Sequence, residues 1–179
     1  MTRRSPSTTK ELKSIIASAT ITHSVHGNDI SIKELAEASG LAIGSIYRVI
    51  TTKSDLKKIL DDHCEALFNA QVFAAIPAKL SLRDRFSLVL TRIFQFAQTN
   101  NQAANYLAYN GFGQSSLMVK SCVGFAAEGQ KSGIINQKII EYAYPIIWGP
   151  ISAVIKGGQS PISNTEVIDE SIWAALTIG

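Results

Sequence analysis

At 179 residues the chain is long enough to bury a core without disulfides or metals, and its length fits one or two domains. Apolar residues make up 46% and charged residues 17%, below the usual ~25%, which excludes a disordered or polyelectrolyte chain; 12 Gly, 5 Pro and 2 Cys exclude collagen-like and disulfide-framework chains. The net charge of +3 is unevenly placed, because residues 1–60 hold nine Lys/Arg against five Asp/Glu and residues 61–179 hold eight against nine. A basic head on a near-neutral body suits a head that contacts nucleic acid.

The first eight residues are polar, basic and rich in Ser/Thr, and read as a mobile arm. No apolar run follows the two arginines of MTRRSPSTTK, so no secretory signal is expected. A first helix is expected over 9–25. Thr8 and Glu11 have capping-box spacing, Leu12, Ile15, Ile16, Ala19 and Thr22 share a face, and Gly27 is the stop. Ser31 and Glu34 form a second capping box ahead of a helix ending at Gly40. After a turn of Leu41 and Ala42, a third helix is expected over 43–50, with Ile43, Ile46, Tyr47 and Ile50 inward. Thr52, with Asp55 three residues on, caps a fourth helix that runs through Leu56, Ile59, Leu60 and Phe68 toward Pro77.

Beyond Pro77 the composition changes. From Phe86 to Val119 the one charged side chain is Arg92. Helices are expected over 82–99, 102–110 and 114–130, then an apolar helix over 137–156 interrupted at Pro145 and Pro150. A last helix over 165–178 has Asn164 as its cap. The stretch 139–155 is too short and too interrupted to span a membrane. No turn of the NG or DG type separates alternating apolar runs, so no strand pair is expected. The expected fold class is all-α, with about nine helices.

The second and third helices, joined by a short Gly-containing turn, have helix-turn-helix spacing, in which the second helix enters the DNA major groove. Gly44 and Ser45 are small enough for close approach to DNA. Arg48, one turn on, has the donors to read guanine or to hold phosphate. Tyr47, Lys53 and Ser31 are placed to donate to phosphate.

The run SIKELAEASGLAIGSIYRVITTKSDL resembles the DNA-binding signature of the TetR/AcrR family of bacterial transcriptional regulators. The matching residues are Leu35-Ala36, Ser39-Gly40-Leu41, Gly44-Ser45-Ile46-Tyr47, and Lys53 with Leu56. The chain departs from that pattern where Ala42 replaces a Ser/Thr cap, a loss of about 1 kcal/mol of helix stability. It departs again at Ile43, Val49 and Ile50, which make the recognition face unusually apolar and imply weaker DNA binding or readout of thymine methyls.

The resemblance implies a DNA-binding head (1–55) and a ligand-binding and dimerisation domain (56–179), with the fourth helix as connector. DNA contacts fall to Ser31, Ala42, Ile43, Gly44, Ser45, Tyr47, Arg48 and Lys53. It also implies a homodimer on a near-palindromic operator, with Trp148, Ile151, Ile155, Ile168, Ile172 and Trp173 at the dimer interface. A small, largely apolar effector of unknown identity is assigned a cavity lined by Phe86, Phe94, Tyr106, Tyr109, Asn110, Phe112, Met118 and Cys122. The implied activity is a cytoplasmic repressor that the effector releases from DNA through the fourth helix. The alternative is a helical ligand- or protein-binding module with weakened DNA binding.

No catalytic or cofactor motif is present, and an enzyme is not expected. His23 with His26, and His63 with Cys64, lack a third ligand at metal-site spacing. Cys64 and Cys122 are expected to be reduced structural thiols.

Overall fold

A computed structural model of the chain describes residues 8–24, 30–158 and 165–177. Val25, His26, Gly27, Asn164, Ile178 and residues 1–7 lie outside these. Nine α-helices and one 3-10 segment, with no strand, make up the regular structure of the described residues. They form two compact units, one ending at Ala66 and the other starting at Leu67. The division falls inside the fourth helix, eleven residues beyond the expected boundary after residue 55.

In the first unit, α1 (Thr9–His23) starts where Thr8 Oγ1 accepts the Glu11 N–H at 3.1 Å. Next, α2 (Ile32–Ser39) starts at a complete capping box. The Ser31 hydroxyl accepts the Glu34 N–H, and the Glu34 carboxylate accepts the Ser31 N–H at 2.8 Å. Gly40 ends α2 at φ +67°, a conformation that an L side chain would strain. Then α3 (Ile43–Tyr47) is followed by α4 (Lys53–Val72), the first part of which lies in this unit. The first helix packs on α2 and α3, and Leu12, Ile16, Leu35, Ile46 and Leu60 are 2% exposed or less.

The third helix is shorter than its pattern predicts. A helix to residue 50 needs the Thr51 N–H to donate to the residue 47 carbonyl, and any extension needs the Thr52 N–H in the same way. Asp55 Oδ2 takes both instead, at 3.0 and 2.8 Å. The cap of α4 therefore ends α3.

The second unit holds the end of α4, then α5 (Leu82–Thr99), α6 (Asn101–Asn110), α7 (Leu117–Lys131), the 3-10 segment Gln137–Tyr142, α8 (Ala143–Lys156) and α9 (Thr165–Thr177). The expected apolar helix over 137–156 is thus two elements. Asn136 Oδ1 accepts the Lys138 N–H and starts the first, while α8 runs on through Pro150 on its exposed side. The seventh helix begins three residues later than expected because Ser116 supplies its cap, accepting the Val119 N–H at 3.2 Å.

At the centre of this unit, α8 packs against α6, α7 and α9. Phe68, fully buried at the end of α4, meets Phe96, Phe112 and Trp148 edge-on with ring centroids 4.9–6.2 Å apart. Gly129 lets the chain after α7 fold back, since a Cβ there would fall 2.5 Å from Ile135 Cδ1. Two arginines of this unit act as ties. Arg83 on α5 pairs with Asp169 and Glu170 on α9 and lies 4.9 Å from the Trp173 ring centre. Arg85 on α5 pairs with Glu128 on α7.

Candidate DNA-contact face and effector cavity

The exposed face of α3 is built by its short length and its i, i+4 spacing. Ile43 is 47% exposed and Tyr47 56%, one turn apart, with Gly44 and Arg48 exposed beside them. This corrects the expectation that Ile43 and Tyr47 face inward, because only Ile46 and Ile50 are buried there. After the tight Gly40–Ala42 turn α3 packs on α1 and α2 with Leu35, Leu41 and Ile46 buried, which leaves Ile43 and Tyr47 facing outward. No Cβ at Gly44 would meet another atom within 4 Å, so the backbone is open on that side. Ala42, exposed, holds the N-cap of α3 with no side-chain hydrogen bond. Ser45 is half-buried, and Lys53 is exposed at the start of α4.

Ser31 fits its phosphate role poorly. Its backbone N–H is already taken by Glu34, and hydrogen bonding to that N–H holds the Glu34 carboxyl below its ordinary pKa. A carboxylate at the start of α2 opposes a phosphate there.

Asp55 organises the start of α4. Its Oδ2 accepts the N–H and hydroxyl of both Thr51 and Thr52, at 2.8–3.0 Å, and its own N–H donates to Thr52 Oγ1. The hydrogen bonds from Thr51, then those from Thr52, bring its pKa down to about 2 from 3.8. A carboxyl depressed by folding stabilises the fold above its unfolded pKa and loses that contribution as pH falls through the folded one. The junction of α3 and α4 is therefore expected to loosen as pH falls from about 4 to about 2. In Asp55→Asn that acid step disappears, read as amide exchange at Thr51 and Thr52.

In the second unit, α5, α7 and α8 enclose a cavity of about 430 Å³, together with Phe73 and Ile76 beyond α4. That volume is in the range of small-molecule sites. Phe86, Met118 and Cys122 line it as expected from sequence, joined by Ile93, Phe125 and Ile147, which sequence reasoning did not single out. Phe125 was legible only from its i+3 spacing to Cys122 on α7.

The remaining expected lining residues lie elsewhere. Phe94, Tyr106 and Phe112 are buried in the packed core. Tyr109 is 46% exposed, 5.3 Å from Lys156 Nζ, and the Asn110 side chain donates to the Tyr106 carbonyl. Arg92 donates to the Val72 and Ala74 carbonyls and so caps the end of α4. Cys64 and Cys122 are free and buried, and burial pushes both thiols up to about 12, which keeps them protonated and unreactive. Among the described residues no three His, Cys, Asp or Glu side chains converge as a metal set.

The expected dimer residues also divide. Trp148, Ile151, Ile155 and Ile172 are at most 8% exposed, so the single chain covers them itself; Ile151 lines the cavity and the other three are core. Trp148 is covered by Phe68 and Phe112. Ile168 and Trp173 are half-buried. The outward faces of the last two helices carry other residues, Pro145, Gly149 and Ala153 on α8 and Val167, Ser171 and Ala174 on α9.

The same arrangement of helices occurs in solved structures. A protein assigned to the tetR family of transcription regulators from Shewanella sp. PV-4 matches with a TM-score of 0.79 at 13% identity, over 94% of this chain and 99% of that one. The fold is that of TetR-family regulators. A TetR-family transcriptional regulator from Haemophilus influenzae matches at 0.75 and 18% identity, over 97% and 100% of the two chains. The fatty acid degradation regulator FadR from Bacillus halodurans matches at 0.71 and 13% identity, over 95% and 97%. At the level of sequence, no family model and no curated protein matches the chain. The exposed face of α3 lies on the second of two short helices joined by the Gly40–Ala42 turn. Among the described residues no helix is long and apolar enough to cross a membrane.

Proposed function

We propose that the chain is a DNA-binding transcription regulator of the TetR/AcrR type, acting as a homodimer and as a repressor that a small, largely apolar effector releases. The observation that carries this reading is the outward face of α3, where Ile43, Gly44, Tyr47 and Arg48 stand together on a helix-turn-helix. Arg48 reads a base edge, Tyr47 and Lys53 hold phosphates, and Gly44 admits the backbone. Ile43 offers an apolar contact to a thymine methyl.

Two such heads on a near-palindromic operator require a dimer. The small side chains on the outer faces of α8 and α9 support close pairing with a second copy. The cavity between α5, α7 and α8 holds the effector, whose binding shifts the population from DNA-competent to incompetent states.

Footprinting on DNA flanking the chain's own gene tests the reading. A protected near-palindrome at low salt is expected. Absence of any protection at 50 mM salt leaves the chain a ligand- or protein-binding module, the reading that the apolar Ala42–Ile43 start of α3 favours.

A further inference from the structure

The cavity is almost wholly apolar, so the polar group able to orient a ligand is found by elimination. Arg85 on α5 and Glu128 on α7 line it but are bound to each other through Arg85 Nη2 and Glu128 Oε1. Their side chains are 30% and 52% exposed, so the pair stands at the rim and presents one charge of each sign. Cys122 adds only a weak S–H donor. Ser121 remains.

Its helix turns Ser121 toward the cavity. Met118, Ser121, Cys122, Phe125 and Glu128 all line the wall at spacings of three and four along α7, so they form one face, with Ser121 inside it. The residue is half-buried, and its hydroxyl has no hydrogen-bond partner among the described residues. Nor is that oxygen sealed in protein, since the covered and unpartnered side-chain atoms of the described residues are Asn69 Oδ1, Arg85 Nε and Trp148 Nε1. Water reaches the Ser121 hydroxyl in the empty cavity, and a ligand that fills the cavity takes the water's place. A ligand with a hydrogen-bonding group keeps the hydroxyl paired, whereas a plain hydrocarbon leaves it bare. A carboxylate loses its hydration among Phe86, Ile93 and Phe125 and meets no net positive charge in return.

We infer that the effector is a predominantly apolar molecule with one uncharged hydrogen-bonding group, and that the Ser121 hydroxyl is the specificity-determining contact for that group. The inference rests on the reading of the cavity as an effector site.

Three probes of similar size test it: hydrocinnamyl alcohol, butylbenzene (a hydrocarbon) and hydrocinnamate (a carboxylate). The alcohol both donates and accepts, so it can pair with Ser121 in either direction. Binding to the full chain is followed by titration calorimetry near pH 7.5. The probes differ in their own hydration, so the Ser121 contact is read as the change in each probe between parent and Ser121→Ala. That variant removes one oxygen and suits a helix. It is expected to weaken the alcohol about fivefold, the worth of one hydrogen bond of about 1 kcal/mol, and to leave butylbenzene within about twofold. In the parent chain the carboxylate is expected to bind about tenfold more weakly than the alcohol.

A Ser121→Ala variant that leaves the alcohol unchanged, or weakens alcohol and hydrocarbon alike, overturns the role of Ser121 but leaves the cavity as an effector site. A carboxylate that binds the parent chain as tightly as the alcohol overturns the uncharged class. Binding of no probe to the parent chain removes the effector reading as well.

Discussion

Phe68→Ala is expected to lower the stability of the second unit by about 3–5 kcal/mol, the usual cost of emptying a fully buried aromatic site. The side chain is 0% exposed and has four aromatic rings around it, Phe73, Phe96, Phe112 and Trp148, with centroids at 4.9–6.2 Å. Those rings come from four separate segments, so no single neighbour can move in and fill the space. A domain of this size has a stability of roughly 5–15 kcal/mol, so the loss is a large fraction of the whole. Urea unfolding measures it as a fall in midpoint with little change in slope. Phe68→Leu, which keeps most of the volume, is expected to cost less than half as much. Equal losses for the two variants would show that the site tolerates collapse and that Phe68 is not the centre of this core.

Arg48→Ala carries the second large effect, this time on DNA. Under the proposed reading, one bidentate contact to a guanine is worth about 1–3 kcal/mol of discrimination, and a homodimer makes that contact in both half-sites. Operator affinity is therefore expected to fall by about 2–6 kcal/mol per dimer. Fluorescence anisotropy at fixed salt measures it. The salt dependence separates two roles for the residue. A base contact leaves the slope of log affinity against log salt nearly unchanged, whereas loss of a phosphate contact, as expected for Lys53→Ala, lowers it by about one per head. An Arg48→Ala protein that binds operator as tightly as the parent chain would remove α3 from the interface. Fold stability is expected to be unchanged, because Arg48 is exposed.

Local signals in the sequence located most elements well. The helix over 82–99 has its expected bounds because Ser81 caps it through the Asp84 N–H and Asn100 ends it. The Ser31–Glu34 capping box forms as its spacing requires. Where bounds differ, a second side chain outbids the first. Asp55 captures the Thr51 and Thr52 amides and shortens α3, and Ser116 caps α7, three residues after the start its pattern predicts. The candidate site was less legible. Gly44 and Arg48 were singled out by residue type and spacing and stand exposed, whereas the inward placement of Ile43 and Tyr47 followed from their apolar character and failed.

The cavity shows the same limit. Of eight residues expected to line it, Phe86, Met118 and Cys122 do so, while Phe94, Tyr106 and Phe112 differ from them in no property that sequence displays. Periodicity reports which side of a helix is apolar. It does not report which neighbour covers that side, or whether the covering is tight.

The low charge content was the first feature of this chain, and by itself it excluded a disordered or polyelectrolyte chain. Capping boxes, Gly40 and the spacing of the second and third helices gave the all-α class and the position of the two short helices, because those signals act between residues at most a few positions apart. The uses of the uncharged residues after position 85 were settled only in three dimensions. Trp148 and Ile172 became core, Phe86, Phe125, Ile147 and Ile151 became cavity wall, and Gly149, Ala153 and Ala174 were left facing outward. Burial depends on segments distant in the chain meeting in space, and a single helix's pattern carries no record of its partners.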